Sequence, residues 1–246
     1  MSTYRMVVQY EGTRYKGWQR LKGEGQTIQG KIESVLSRLL QTQIEIHGSG
    51  RTDAGVHAAG QVAHFKTEVP IDGELILKEV NQYLPEDIAI LSIEHVDERF
   101  HARYQAKSKT YVYRIWLAPY PPVFERSLVY QYSGETLPDV EKMEQAAKRF
   151  LGTHDFRGFS SDKTKKSTVR TLFDLTFEQT DTELKFFLTA DGFLYNMARI
   201  IAGTLLDVGT GVVAESDIEP VFLSGKREGA GETAPAKGLT LLEVHY

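Results

Sequence analysis

Apolar and polar residues alternate over residues 4–10, which predicts a strand at the head of the chain. The period then lengthens. Ile28, Ile32, Val35, Leu36, Leu39 and Leu40 recur at the spacing of one helical face, and the Thr27 hydroxyl stands where it can cap the first turn. Ile44 and Ile46 alternate with polar neighbours as in a half-buried strand, and residues 61–65 read as another. Residues 74–83 return to the helical period and 88–96 to the strand period, so this half of the chain reads βαββαβ.

The second half repeats that order. Residues 109–116 predict a strand with Tyr111, Tyr113 and Ile115 on one face. Pro138 suits the first turn of a helix whose apolar stripe is Val140, Met143, Ala147, Phe150 and Leu151, with Gly152 as its stop. Two strands over 169–179 and 183–190 flank a polar turn at 180–182. An apolar helix over 195–208 ends at Gly209, a shorter helix lies near 216–223, and 239–246 reads as the last strand. Two successive βαββαβ units predict an α+β fold of two ferredoxin-like halves, 1–105 and 106–246. Mainly antiparallel sheets, helices on one face and a central basic cleft where the halves meet are expected. The halves share element order rather than visible sequence identity.

Composition narrows the function. The 246 residues are 41% hydrophobic and 25% charged, ordinary for a globular protein. No apolar run approaches the ~20 residues needed to span a bilayer, and the first residues lack the pattern of a signal peptide. No membrane partner is expected. The chain has no cysteine, which excludes disulfides and thiolate metal sites and makes the cytoplasm the expected compartment. A net charge of −4 weighs against a nucleic-acid partner until its local distribution is considered. Arg14, Lys16, Arg20 and Lys22 cluster, as do Arg99, His101, Arg103, Lys107 and Lys109, and then Lys163, Lys165, Lys166 and Arg170. Each group alone reads as solvated surface; three of them beside the other candidate features suit phosphate contacts.

The chemistry concentrates in Gly48-Ser49-Gly50-Arg51-Thr52-Asp53-Ala54-Gly55-Val56-His57. A phosphate loop would need its own glycine spacing and a following helix, whereas residues 56–65 look extended. His57 and His64 lack the partner residues of a metal site, and no Gly-x-Ser-x-Gly elbow marks a hydrolase. Neither a metal nor a cofactor is expected. Asp53 remains. It can be a turn cap, but the glycines permit close approach of a ligand and Arg51 can hold the carboxylate ionised and oriented. Arg199, inside an otherwise apolar helix, calls for a partner, either a structural ion pair or a catalytic carboxylate from the other half. Tyr111 and Tyr113 are core candidates by their strand position. Beside Lys107 and Lys109 an exposed tyrosine would also serve as a base-stacking platform.

Taken in order, these residues resemble the tRNA pseudouridine 38–40 synthases. Gly50-Arg51-Thr52-Asp53-Ala54-Gly55-Val56-His57 matches that family's signature. The likeness extends through Tyr10-Glu11-Gly12-Thr13, Tyr15, Gly17-Trp18-Gln19, Phe100-His101-Ala102-Arg103 and Lys109-Thr110-Tyr111-Val112-Tyr113. It continues through Gly152-Thr153-His154-Asp155-Phe156, Asn196-Met197-Ala198-Arg199 and Ala234-Pro235-Ala236-Lys237-Gly238-Leu239, so it covers almost the whole chain. Ala198 stands where a larger apolar residue is expected, which bears on packing rather than chemistry.

The resemblance implies an isomerase that converts uridine to pseudouridine at positions 38, 39 and 40 of the tRNA anticodon stem-loop. It implies Asp53 as nucleophile, Tyr111 against the target base, Arg199 paired with Asp53, and Arg51 helping to extrude the uridine. It also implies a homodimer with tRNA across a basic cleft. Attack on ribose C1′ or on uracil C6 stays open at this stage. Two other readings use the same residues: a non-catalytic RNA-binding or RNA-folding module, and a structural protein whose Asp53–Arg199 pair only joins its halves. A basic loop at 157–170, with Lys163, Lys165 and Lys166 on phosphates, would let three neighbouring positions be presented in turn.

Overall fold

In the computed structural model, which describes residues 1–21, 23, 25–161 and 167–246, strand β1 spans Ser2–Tyr10. It is followed by α1 (Ile28–Leu39), β2 (Ile46–Gly48), β3 (His57–Thr67), α2 (Gly73–Tyr83) and β4 (Ile88–Val96). Then come β5 (Ser108–Trp116), β6 (Tyr130–Gln131), α3 (Val140–Ala147), β7 (Gly152–Asp155), β8 (Val169–Gln179) and β9 (Glu183–Ala190). The helices α4 (Met197–Gly209) and α5 (Ile218–Ser224) precede β10 (Leu239–His245). Lys22, Lys163, Lys165 and Lys166 lie outside the described residues, and with them the centre of the expected loop at 157–170. Among the described residues no helix is long and apolar enough to cross a membrane.

The chain divides into two compact units, Met1–Lys107 with Thr240–Tyr246, and Ser108–Leu239. Sequence order alone assigned 106–246 to the second half. The C-terminal strand lies with the first unit, where Thr240 and Leu241 of β10 pair in parallel with His57 and Ala58 of β3.

The first unit has the strand order β4-β1-β3-β2, antiparallel at every step. This is the order of a ferredoxin-like unit. Alternation on β1 buries Tyr4, Met6, Val8 and Tyr10. Thr27 caps α1 by accepting the Gly30 amide, and Asp72 caps α2 by accepting those of Glu74 and Leu75. The helices contribute Ile28, Ile32, Leu36, Ile76 and Val80 to the core. Strand β3 is longer than 61–65 because residues at both ends also pair: His57 and Ala58 meet β10 and the end of β1, and Lys66 and Thr67 meet the start of β1. It is buried almost continuously from Gln61 to Phe65, as expected of a strand covered on both faces.

In the second unit the order is β5-β9-β8-β7, again antiparallel, with β6 added in parallel to β5. Helix α3 starts at Val140, two residues beyond Pro138, because the Asp139 side chain accepts the Lys142 amide and takes the capping position. It also stops earlier. A 3-10 turn over Lys148–Phe150 ends it, and Gly152 opens β7, a strand that hydrophobic periodicity did not separate from the helix. Phe150 is buried but Leu151 is exposed.

A polar cluster fixes the segment after β4 onto β3. His64 is 2% exposed, and its Nδ1 accepts the Ala102 amide at 3.2 Å. Its ring lies 5.1 Å from His47 and 4.7 Å from His101. Burial first, and then the neighbouring His101, His47 and Lys66, hold its pKa down to about 4. A group whose folded pKa is depressed below 6.5 is neutral in both states above that value. As pH falls, the unfolded chain takes up the proton first, so stability is lost between pH 6.5 and 4. This histidine should contribute to that loss. Urea denaturation of wild type and His64→Gln across this range should show the wild type falling more steeply. Parallel curves would remove His64 as the cause.

Candidate active site

Asp53 lies in the loop between β2 and β3, and hydrogen bonds from two sides fix that loop. On its entry side, the Ser49 amide donates to the Val62 carbonyl at 2.7 Å and its hydroxyl to Gln61 Oε1 at 2.6 Å. Gln61 Nε2 returns a bond to the Gly50 carbonyl at 3.1 Å. At the centre, the Val56 amide donates to the Asp53 carbonyl at 3.2 Å and closes a tight turn. Gly55 holds φ +78° in that turn, a conformation costly for a residue with a Cβ.

The second set of bonds comes from the segment that follows β1. The Trp18 amide donates to the Thr52 carbonyl at 3.1 Å, and the Gly55 amide to the Tyr15 carbonyl at 3.3 Å. The Tyr10 and Thr52 hydroxyls share a buried bond of 2.8 Å. Burial pushes the Tyr10 pKa up, so its phenol stays neutral. The Gly12 amide donates to His57 Nδ1 at 2.9 Å, which requires that nitrogen to carry no proton. Gly17 allows this proximity: it has φ +93°, and a Cβ there would stand 2.6 Å from the Thr52 carbonyl oxygen. Thr52, Gly55 and His57, on both sides of Asp53, are thus all bonded to residues 10–18.

That segment is itself anchored. The Tyr15 hydroxyl donates to Asp87 Oδ1 at 2.6 Å, and the Glu11 amide to the Asp87 carbonyl at 2.9 Å. Trp18 is 2% exposed and packs so closely under Gly48 that a Cβ there would come within 2.7 Å of the indole. Gln29 Oε1 accepts from the Arg20 amide and from Gln19, while Gln29 Nε2 donates to Glu33 and to the Ile46 carbonyl. This buried network joins α1 to both ends of the clamp.

Asp53 is therefore a partly exposed residue in a loop whose backbone is hydrogen-bonded on both sides of it. Arg51 lies in the same loop and is exposed. Tyr111 is on β5 of the second unit and only 7% exposed, its ring edge-on to Phe193 at 4.8 Å. It is not the open stacking platform that its basic neighbours suggested. Tyr113 is fully buried and donates to the Pro235 carbonyl at 2.9 Å.

Arg199 is the third residue of α4 and is partly exposed. Its Nε donates to the Ala234 carbonyl at 2.7 Å and Nη1 to Asn196 Oδ1 at 3.0 Å. Asn196 makes this possible by taking φ +62° at the helix start, two residues later than periodicity placed it.

The basic groups are unequal. Arg14 is paired with Asp87 at 2.6 Å and Arg20 with Glu33 at 2.9 Å, so both cations are partly neutralised. Arg99 and Arg103 are exposed and make no ion pair among the described residues. The sequence pattern offers His57 only as a metal-ligand candidate, whereas in the fold its Nδ1 accepts the Gly12 amide. The signal was present in the matching segment at 10–19, but nothing in one sequence says that it meets residues 52–57.

Residues 6–105 and 146–246 match the model of a family described as tRNA pseudouridine synthase. The chain is 44% identical over 247 residues to a protein of Acetivibrio thermocellus named tRNA pseudouridine synthase A, with both chains fully covered. It is likewise 44% identical, over the full length of both chains, to a protein of Clostridium perfringens named tRNA pseudouridine synthase A 2. A solved chain titled as part of a Cbf5-Nop10-Gar1 complex aligns at 12% identity with a TM-score of 0.39, covering 97% of this chain and 48% of that one. That likeness is too weak to carry an argument. The family model and the full-length relatives decide the matter: this chain belongs to the tRNA pseudouridine synthase family.

Proposed function

We propose that this chain isomerises uridine to pseudouridine at positions 38, 39 and 40 of the tRNA anticodon stem-loop, with Asp53 as the nucleophile. The observation that carries the reading is the clamp. Thr52, Gly55 and His57 are each fixed to residues 10–18, which leaves Asp53 partly exposed on a loop with little freedom. The reaction breaks the bond between uracil N1 and ribose C1′, turns the base, and joins C5 to C1′. The C5 proton leaves and N1 takes one up, with no net oxidation. The Asp53 carboxylate is the group that would attack C1′ or C6.

The remaining roles follow the family pattern. Arg51, exposed beside Asp53, helps to extrude the uridine and takes its place, since a base must leave its stack before chemistry. Tyr111 contacts the base as a pocket wall, consistent with its burial. Arg199 supplies the counter-charge of Asp53, and its bonds to Ala234 and Asn196 fix its orientation. In this reading the protein is a cytoplasmic homodimer that binds tRNA across a basic cleft.

Tritium release from tRNA labelled with [5-³H]uridine tests the assignment. Wild type should release tritium. Asp53→Asn should release none while binding tRNA within about threefold of wild type, because the substitution keeps shape and removes only the nucleophile. Equal release by both would end the nucleophile assignment, and loss of folding in Asp53→Asn would favour a structural role.

Arg199→Ala should lower kcat/KM by roughly 10- to 100-fold, the order of one charge-assisted hydrogen bond. Unchanged kinetics in a folded variant would separate Arg199 from the chemistry.

A further inference from the structure

Tyr104 is 78% exposed, although it belongs to a hydrogen-bonded turn of the first unit. The Gln105 amide donates to the His101 carbonyl at 3.2 Å, and the His101 amide to Gln105 Oε1 at 3.3 Å. The Arg103 amide donates to His101 Nδ1, also at 3.2 Å. Between them Ala102 is fully buried, its amide bonded to His64 and its carbonyl accepting the Tyr246 hydroxyl at 2.6 Å. The Tyr104 ring does not hang free. It lies 4.1 Å from the His101 ring at 32°, and His101 lies 4.7 Å from buried His64. A row of rings thus runs from the core strand to the surface and ends in an open aromatic.

Cations stand near this ring, with two exposed carboxylates, Asp97 and Glu98, further back on the same segment, where Asp97 accepts the Arg99 amide at 2.8 Å. Arg103 precedes Tyr104 and Arg99 stands on the same turn-rich segment, both exposed and without an ion pair among the described residues. The electrostatic influence of Arg103 and Lys66 reaches His101, the ring beneath Tyr104. Lys66 Nζ donates to the Glu98 carbonyl at 3.0 Å, a neutral acceptor that leaves its charge uncancelled at that contact. A rigid, exposed aromatic among cations matches what an unpaired nucleobase and its phosphates require. A protein partner with an apolar patch would not call for the cations.

We propose that Tyr104 is a stacking platform for a nucleobase of bound tRNA other than the reacting uridine, with Arg99, Arg103 and Lys66 on the adjoining phosphates. The platform is ready before binding, so little ordering is needed when the base arrives. The inference rests on tRNA being the substrate and adds a second contact region, separate from Asp53.

The test measures tRNA affinity against salt concentration for wild type, Tyr104→Ala, Tyr104→Phe and Arg103→Ala, with tritium release in parallel. Tyr104→Ala should bind about tenfold more weakly with an unchanged salt slope, and Tyr104→Phe should keep wild-type affinity. Arg103→Ala should reduce the slope by about one. Circular dichroism checks each fold, and so open a residue should be removable without unfolding. Wild-type affinity in Tyr104→Ala would overturn the platform while leaving the activity assignment intact. So would a Phe variant as weak as Ala, or a change of oligomeric state in place of a change in affinity. A wild type that binds tRNA without releasing tritium would instead overturn the activity, and the affinities would still judge the platform.

Discussion

The clamp between residues 10–18 and the Asp53 loop is the constraint on which the candidate site depends. A catalytic carboxylate needs a fixed position without full burial, and an irregular loop alone cannot supply that. Its amides and carbonyls would trade partners with water. Here they are committed: Trp18 to Thr52, Gly55 to Tyr15, Gly12 to His57. Asp53 stays partly exposed while the backbone on either side is bonded in place. The glycines at 17 and 55 follow from this, because two backbones this close leave no room for a Cβ at one and demand a positive φ at the other.

The clamp in turn relies on a central strand that is unusually polar for its burial. His57, Gln61 and His64 of β3 are each at most 2% exposed. Each receives or gives a bond that another loop needs: His57 to Gly12, Gln61 to Ser49 and Gly50, His64 to Ala102. Apolar replacements would bury as well but would leave those loop amides and carbonyls without partners, which costs more than the gain. The strand therefore works as a template for three surface loops. Both of its histidines accept a loop amide at Nδ1, and for His64, whose pKa is held low, that ties the loop to pH.

Aromatic residues show how context overrides local composition. Tyr111 and Tyr104 both sit near lysine or arginine in sequence. Tyr111 is folded into β5 with Phe193 against its ring, whereas Tyr104 is held outward by a closed turn. Basic neighbours describe the surface a residue could reach, not whether its own side chain reaches it.

By itself, the sequence determined the helices and long strands, because periodicity and capping act over a few residues. Thr27 and the alternation on β1 needed no tertiary information. The ordered motifs also marked Asp53, Arg51, Tyr111 and Arg199 as candidates and named the family that the comparisons then showed. Short or irregular elements were illegible: β6 has two residues, β7 starts at a glycine that read as a helix stop, and α4 waits for Asn196 to adopt φ +62°. Only the tertiary structure joined residues 10–18 to 52–57, moved the last strand to the first unit, and turned Tyr104 outward while burying Tyr111. Such pairings depend on hydrogen bonds between segments far apart in the chain, from Thr52 and Trp18 to Thr240 and His57, and no local pattern of polar and apolar positions records which distant amide a carbonyl will meet.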